Sequence, residues 1–216
     1  MKKTIYSFFF VVLAWAIAGC PDSGKIRKKM PRLFTINFVM ETGAEPSFMI
    51  SEDFNRDGEI DLVVTNSGDN TLSYFKGNGD GTFKSQIIMK TGEDPICVVT
   101  SDFNNNGYLD LAVLNYRDQT ISIYFNSRFG NFKKTGITLR PGKIPINMIS
   151  GDFNRDGIND LAVTMRYHKV MILLGKGKGR FKNPVPIKVK GQPTAVVVGD
   201  YDKNKILDIG VALAGS

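Results

Sequence analysis

Residues 53–62 read Asp53-Phe54-Asn55-Arg56-Asp57-Gly58-Glu59-Ile60-Asp61-Leu62. Oxygen-bearing side chains stand at positions 1, 3, 5 and 9 of this stretch, a glycine at position 6, and an apolar run follows at once. The pattern returns three times, opening at Asp102, Asp152 and Asp200, at intervals of 49, 50 and 48 residues. Each opening aspartate is followed by an aromatic residue: Phe54, Phe103, Phe153 and Tyr201. Self-similarity at a fixed period near fifty marks a repeat architecture, and everything else in the chain is read in that register.

Two further markers keep the same spacing. Phe83, Phe132 and Phe181 each close a turn, and Gly-x-x-Pro recurs at Gly43 to Pro46, Gly92 to Pro95 and Gly142 to Pro145, with a shorter form at Gly191 and Pro193. Between the markers lie short β-branched and aromatic runs bounded by Gly, Asn, Asp and Pro: residues 48–50, 61–64, 71–75 and 84–89 in the first unit. Such runs are too short for helices and predict four strands per unit. Units begin near residues 46, 95, 145 and 193. One four-stranded sheet cannot bury both faces, so copies must stack, and radial stacking gives a β-propeller. A linear β-solenoid competes, although its repeats are generally shorter. The expected class is all-β: a propeller with about three full blades plus partial ones.

The loop carries the chemistry. Calcium takes six to eight oxygen ligands, and oxygens at positions 1, 3, 5 and 9 with a backbone carbonyl at 7 can wrap one ion, the glycine permitting the sharp turn. The first copy offers Asp53, Asn55, Asp57, Glu59 and Asp61; the third offers Asp152, Asn154, Asp156, Ile158 and Asp160. The second is poorer in charge, with Asp102, Asn104, Asn106, Tyr108 and Asp110. The fourth has Asp200, Asp202, Asn204, Ile206 and Asp208, but Lys205 replaces the glycine and sets a cation beside the proposed ion. An EF-hand would need a glutamate at position 12, where valine stands in all four copies (Val64, Val113, Val163, Val211). The alternative is a set of Asx turns that bind no metal.

Asp-Phe-Asn-Arg-Asp-Gly-x-x-Asp-Leu, followed by Gly77-Asn78-Gly79-Asp80-Gly81-Thr82-Phe83, resembles the FG-GAP/VCBS repeat family and the integrin α-subunit propeller. The resemblance covers residues 34–216 and implies a propeller of typically seven blades. It also implies calcium loops between the first and second strands of some blades, and a role in adhesion, ligand binding or scaffolding. The turns at 126–132 and 175–181, and Lys205, depart from the family pattern.

The first nineteen residues stand apart. Lys2 and Lys3 precede an apolar stretch that ends in Ile17-Ala18-Gly19-Cys20. It is shorter than the roughly 20 residues a spanning helix needs, so a cleaved export signal is expected. Ile-Ala-Gly-Cys resembles a bacterial lipobox, which would make Cys20 a lipid-modified first residue; an ordinary secretory signal is the alternative. On this reading residues 1–19 are signal, 20–32 a lipidated cysteine with a basic linker, and 33–216 the repeats. The expected location is the periplasmic or cell-surface face of a membrane. Cys97, in an apolar run, is expected to be a small buried hydrophobe.

The net charge of +7 is unevenly placed. Seven of the 28 bases and one of the 21 acids precede Leu33, leaving 21 and 20 in the repeats. The basic linker suits anionic headgroups or plain solvation, and nucleic-acid binding is disfavoured. Residues 128–190 nevertheless hold 14 bases against 3 acids, a possible flank for an acidic partner.

The spacing from Phe34 to Gly43 equals that from Phe83 to Gly92, so residues 34–43 are expected to form a lone fourth strand. Fifteen strands result, against 28 in seven four-stranded blades. An incomplete seven-bladed ring from a truncated frame is therefore expected, with self-association where the ring stays open; a compact four-bladed closure lacking one strand and two chains joined in one ring are the alternatives. His168 is the single histidine, and it sits at a turn position that holds Asn70 and Gln119 in other repeats. No nucleophile or phosphate motif occurs. The expected function is a membrane-anchored, calcium-binding module for a protein or glycan ligand. A remnant without activity and a glycan-acting enzyme are the alternatives.

Overall fold

The computed structural model describes residues 40–215. The signal, Cys20, the basic linker and most of the lone N-terminal strand lie outside the described residues.

Fourteen strands follow one another without a helix among the described residues. Blade 1 comprises β1 (Pro46–Glu52), β2 (Asp61–Asn66), β3 (Thr71–Phe75) and β4 (Ile87–Lys90). Blade 2 comprises β5 (Pro95–Ser101), β6 (Asp110–Asn115), β7 (Thr120–Asn126) and β8 (Phe132–Leu139). Blade 3 comprises β9 (Pro145–Gly151), β10 (Asp160–Met165), β11 (Lys169–Leu173) and β12 (Val185–Lys188), and blade 4 holds β13 (Gln192–Gly199) and β14 (Asp208–Ala214). Each sheet is an antiparallel meander in chain order. The strand predicted at 71–75 is β3, and the first strands of the blades open at Pro46, Pro95, Pro145 and Gln192. The run at 84–89 is shifted: only its end joins β4, and Phe83 instead forms a lone bridge with Gly77.

A register shift follows the entry proline of every blade, at Pro46, Pro95, Pro145 and Pro193. Proline has no N–H to give the ladder, so the irregularity falls where pairing is already interrupted. The residue before the first three prolines, Glu45, Asp94 or Ile144, has a positive φ. Its carbonyl accepts the N–H of Ser67, Tyr116 or Arg166, just beyond the second strand of the same blade. A β-branched residue such as Ile144 is costly there, and that hydrogen bond holds it.

The core is divided into three layers, each between successive blades. Phe54, Val63, Leu72 and Tyr74 of blade 1 meet Val98, Leu111, Val113 and Tyr124 of blade 2. Ala112, Leu114, Ile121 and Ile123 on the other face of blade 2 meet Met148, Leu161, Val163 and Leu173 of blade 3. Ala162, Val170 and Ile172 then meet Ile209 and Val211 of blade 4. Both faces of an internal blade are thus apolar, which is why strand β6 reads as a continuous hydrophobic run and not as an alternation.

The first strands lie side by side in the order β1, β5, β9, β13, and the row is not closed into a ring. Equivalent positions show the open ends. Met49, facing away from blade 2, is 37% exposed, whereas its counterparts Val98 and Met148 are 0% and 1% exposed. At the other end Val197 is 57% exposed, while Val99 and Ile149 are half-buried against the following blade.

Cys97 is buried in the layer between blades 2 and 3, and burial pushes its thiol up to about 12. The thiolate is the reactive form. Cys97 is therefore expected to resist maleimide at pH 8 in the folded protein and to label fully in denaturant, as read by peptide mass mapping. Rapid native labelling would contradict the burial.

Candidate metal centres

All four loops join the first and second strands of their blades at one end of the array, and their backbones are folded alike. The aspartate at position 1 accepts two backbone N–H groups, from positions 5 and 6: Asp53 from Asp57 and Gly58, Asp152 from Asp156 and Gly157. Asp102 and Asp200 do the same in the second and fourth loops. The side-chain oxygen at position 3 (Asn55, Asn104, Asn154 or Asp202) also accepts the N–H of position 5, at 2.8–3.1 Å. Position 5 in turn accepts the N–H of position 7, as Asp57 does from Glu59, Asn106 from Tyr108, Asp156 from Ile158 and Asn204 from Ile206. These hydrogen bonds favour the charged carboxylate, and Asp57 is held below the usual carboxylate range, first by the Glu59 N–H and then by Asn55.

The closing carboxylate at position 9 has a second task. Asp61 is fully buried and accepts the Tyr74 hydroxyl at 2.8 Å and the Gly77 N–H at 2.9 Å. Asp110 accepts the N–H groups of Phe103 and Asn126, and Asp160 those of Phe153 and Gly175. Each therefore ties its own loop, or its third strand, to the turn leading into the fourth strand. Burial raises Asp110 to about 6 and also raises Asp160, partly offset by the N–H donors. In blade 4, where β14 is the last described strand, Asp208 accepts the Tyr201 N–H.

Among the described residues, the carboxylates of one loop converge on a common point: Asp200, Asp202 and Asp208 each bring an oxygen within 4.8 Å of the others. Loops 1 and 3 carry asparagine at position 3 and hold Asp61 and Asp160 on the blade. The donor set in every loop is oxygen only, without sulfur or imidazole, which suits a hard cation such as calcium. A carboxylate has lone pairs beyond those given to two N–H donors, so the backbone clamp and an ion can share it.

Lys205 keeps the turn that glycine makes elsewhere. Its φ is 68°, against 88° for Gly58, 86° for Gly107 and 79° for Gly157. The left-handed region costs a side-chain-bearing residue about 1–2 kcal/mol, partly offset by glycine's greater unfolded freedom. Lys205→Gly is expected to stabilise the protein by roughly 0.5–1 kcal/mol, read by thermal unfolding. A less stable variant would show that the lysine side chain contributes something of its own.

The aromatic at position 2 joins neighbouring blades, a role that repeat spacing did not reveal. Phe54 of blade 1 meets Phe132 of blade 2 with ring centres 5.4 Å apart, and Phe103 of blade 2 meets Phe181 of blade 3 at 6.0 Å. The turn phenylalanines that mark the repeat are thus the partners of the loop aromatics one blade earlier. The irregular turns at 126–132 and 175–181 keep this contact. Asn126 adds a hydrogen bond from its side-chain amide to the Phe54 carbonyl of blade 1.

The model of the FG-GAP-like repeat matches residues 53–113, 102–163 and 152–211, each match running from one loop to the second strand of the next blade. The chain belongs to the FG-GAP-like repeat family. No curated protein matches it in sequence. Among solved structures, the FG-GAP-like array is similar to BBS1N in complex with ARL6DN, soaked with lead, with a TM-score of 0.57 and 20% identity over 79% of this chain and 52% of that one. It is also similar to the same complex soaked with mercury, with a TM-score of 0.57 and 16% identity over 83% and 55%. These likenesses are of fold, and the array spans about half the length of the BBS1N chains.

Proposed function

We propose that this FG-GAP-like array is a calcium-stabilised binding module that presents its blade ends to a protein partner, held outside the cytoplasm by a lipid on Cys20. The observation that carries this reading is the division of labour in each blade. Most of the large apolar side chains of the inner strands pack between blades, and the connecting loops at both ends are largely exposed, with a few aromatics such as Phe129 and Tyr167 among their polar residues. Such a frame displays side chains on rigid supports. A protein occupant is favoured over a glycan because the similar BBS1N structures are complexes with another protein. Binding is favoured over catalysis because the loop acids are engaged with their own repeat's backbone.

Calcium saturation is expected to raise the unfolding midpoint of the full chain; an ion present at a hundredfold its Kd adds about 2.7 kcal/mol per site. Capture of the partner by the full chain is expected to weaken in chelator. An unfolding midpoint indifferent to calcium would remove the metal, and capture indifferent to chelator would separate binding from it. For the anchor, Cys20→Ser is expected to move the protein from the membrane to the soluble fraction, and retention would overturn lipidation.

A further inference from the structure

Charge is sorted between blades at the end of the array opposite the calcium loops, where the β2–β3 type turns and the connections into the next blade lie. Over blade 3 this end carries Arg140, Lys143, Arg166, Lys169, Lys188 and Lys190, all exposed. The three acids of residues 128–190, Asp152, Asp156 and Asp160, all belong to the calcium loop at the other end. Strand pairing puts several of these bases in one row: Met165, beside Arg166, pairs with Lys169, which pairs with Lys188. Tyr167 stands in the same turn, 64% exposed, and both it and His168 have a left-handed backbone (φ 68° and 62°). The corresponding end of blades 1 and 2 is net acidic, although Lys90 ends β4 there and the Lys134 amine donates to the Thr91 carbonyl. Glu45, Glu93 and Asp94 line a groove of about 360 Å³ with Asn70 and Arg117, and Asp69 and Asp118 stand in the turns that flank it.

We infer that this end of blade 3 is a docking surface for an acidic segment of a protein partner, with Arg166, Lys169 and Lys188 taking its carboxylates and Tyr167 lying against it. The inference rests on the protein-binding reading above and adds the face and the chemistry. A surface of a single sign fits poorly, because an anionic membrane or a long uniform polyanion that reached blade 3 would also meet the carboxylates of blades 1 and 2. A short acidic segment fits the basic lobe, and the acidic groove beside it fixes the direction in which the partner lies.

The test uses the full chain and fluorescein-labelled deca-glutamate, followed by anisotropy at 50 mM and 200 mM salt. Deca-glutamate is expected to bind, and to weaken at least tenfold at the higher salt. The triple variant Arg166→Glu, Lys169→Glu, Lys188→Glu is expected to lose binding more than tenfold. A control triple with the same charge change at the other end, Lys176→Glu, Lys178→Glu, Arg180→Glu, is expected to stay within about threefold of the parent. Tyr167→Ala, which leaves charge alone, is expected to weaken binding about threefold, and unchanged thermal unfolding verifies that each variant is folded. Equal losses in the two triples would reduce the effect to net charge and overturn the site, as would no binding at 50 mM salt. Vesicles with 30% phosphatidylglycerol binding as strongly as the peptide would reassign the lobe to a membrane surface. If deca-glutamate fails while the full chain still captures its partner, the docking face is wrong and the binding function stands; loss of capture as well removes both.

Discussion

Tyr74→Ala is expected to destabilise the array by about 3–5 kcal/mol, the range for deleting a buried aromatic side chain. Tyr74 is fully buried between blades 1 and 2, with its ring edge-on to Phe54 at 6.1 Å and to Phe132 at 5.2 Å. Removing it opens a cavity in one inter-blade layer and takes away the hydroxyl that Asp61 accepts. Tyr74→Phe separates the two parts, because it keeps the ring and leaves one buried carboxylate oxygen without its donor, at a cost of about 1–3 kcal/mol. Tyr201, at the second position of loop 4, is exposed and serves as the control, with Tyr201→Ala expected within about 0.5 kcal/mol of the parent. Thermal unfolding of the three variants gives the ranking. Near-equal midpoints for Tyr74→Ala and Tyr201→Ala would mean that the layer between blades 1 and 2 does not hold the array together.

Asp110→Ala is expected to have the second-largest effect. The change leaves the buried N–H groups of Phe103 and Asn126 without an acceptor, each costing about 1–3 kcal/mol. Asp110→Asn keeps an acceptor oxygen and is expected to fall between parent and alanine. The pair also carries a pH signature. Burial raises the folded carboxyl to about 6 from an ordinary value of 3.8, so between those values the folded protein holds a proton that the unfolded chain releases. The stability contributed by this group is therefore complete below about pH 3.8 and is lost as pH rises through about 6. In chelator, the parent minus Asp110→Asn difference in unfolding midpoint is expected to shrink across that window and to level off above it. A difference that grows with pH would show that the N–H donors outweigh burial. On the proposed calcium reading, an ion at this loop would favour the ionised form, and added calcium is expected to flatten the slope.

The period and the strand type are legible in the sequence. Each is local: a strand of five or six residues between Gly, Asn, Asp and Pro declares itself, and the four aspartates that open the loops fix the register of the whole chain. The tasks of Asp61, Asp110 and Asp160 were less legible. Their spacing marks them as closing acids of the loops, but their partners at Gly77, Asn126 and Gly175 lie fifteen or sixteen residues downstream and meet them only once the third strand has turned back. Lys205 shows the same limit from the other side. Its side chain argues against the glycine turn, yet the surrounding hydrogen bonds of Asp200 and Asn204 hold the backbone in place.

The sequence by itself determined that the chain is a β-repeat with oxygen-rich loops, because period and turn chemistry act within one unit. The tertiary structure alone decided which aromatic meets which, as Phe54 with Phe132 and Phe103 with Phe181. It also decided that the bases of blade 3 and the acids of blades 1 and 2 share one end. Alternation along a strand tells which residues lie on the same face. In a stack where both faces are buried, it does not tell which neighbour that face meets, and that choice is made only when the blades pack.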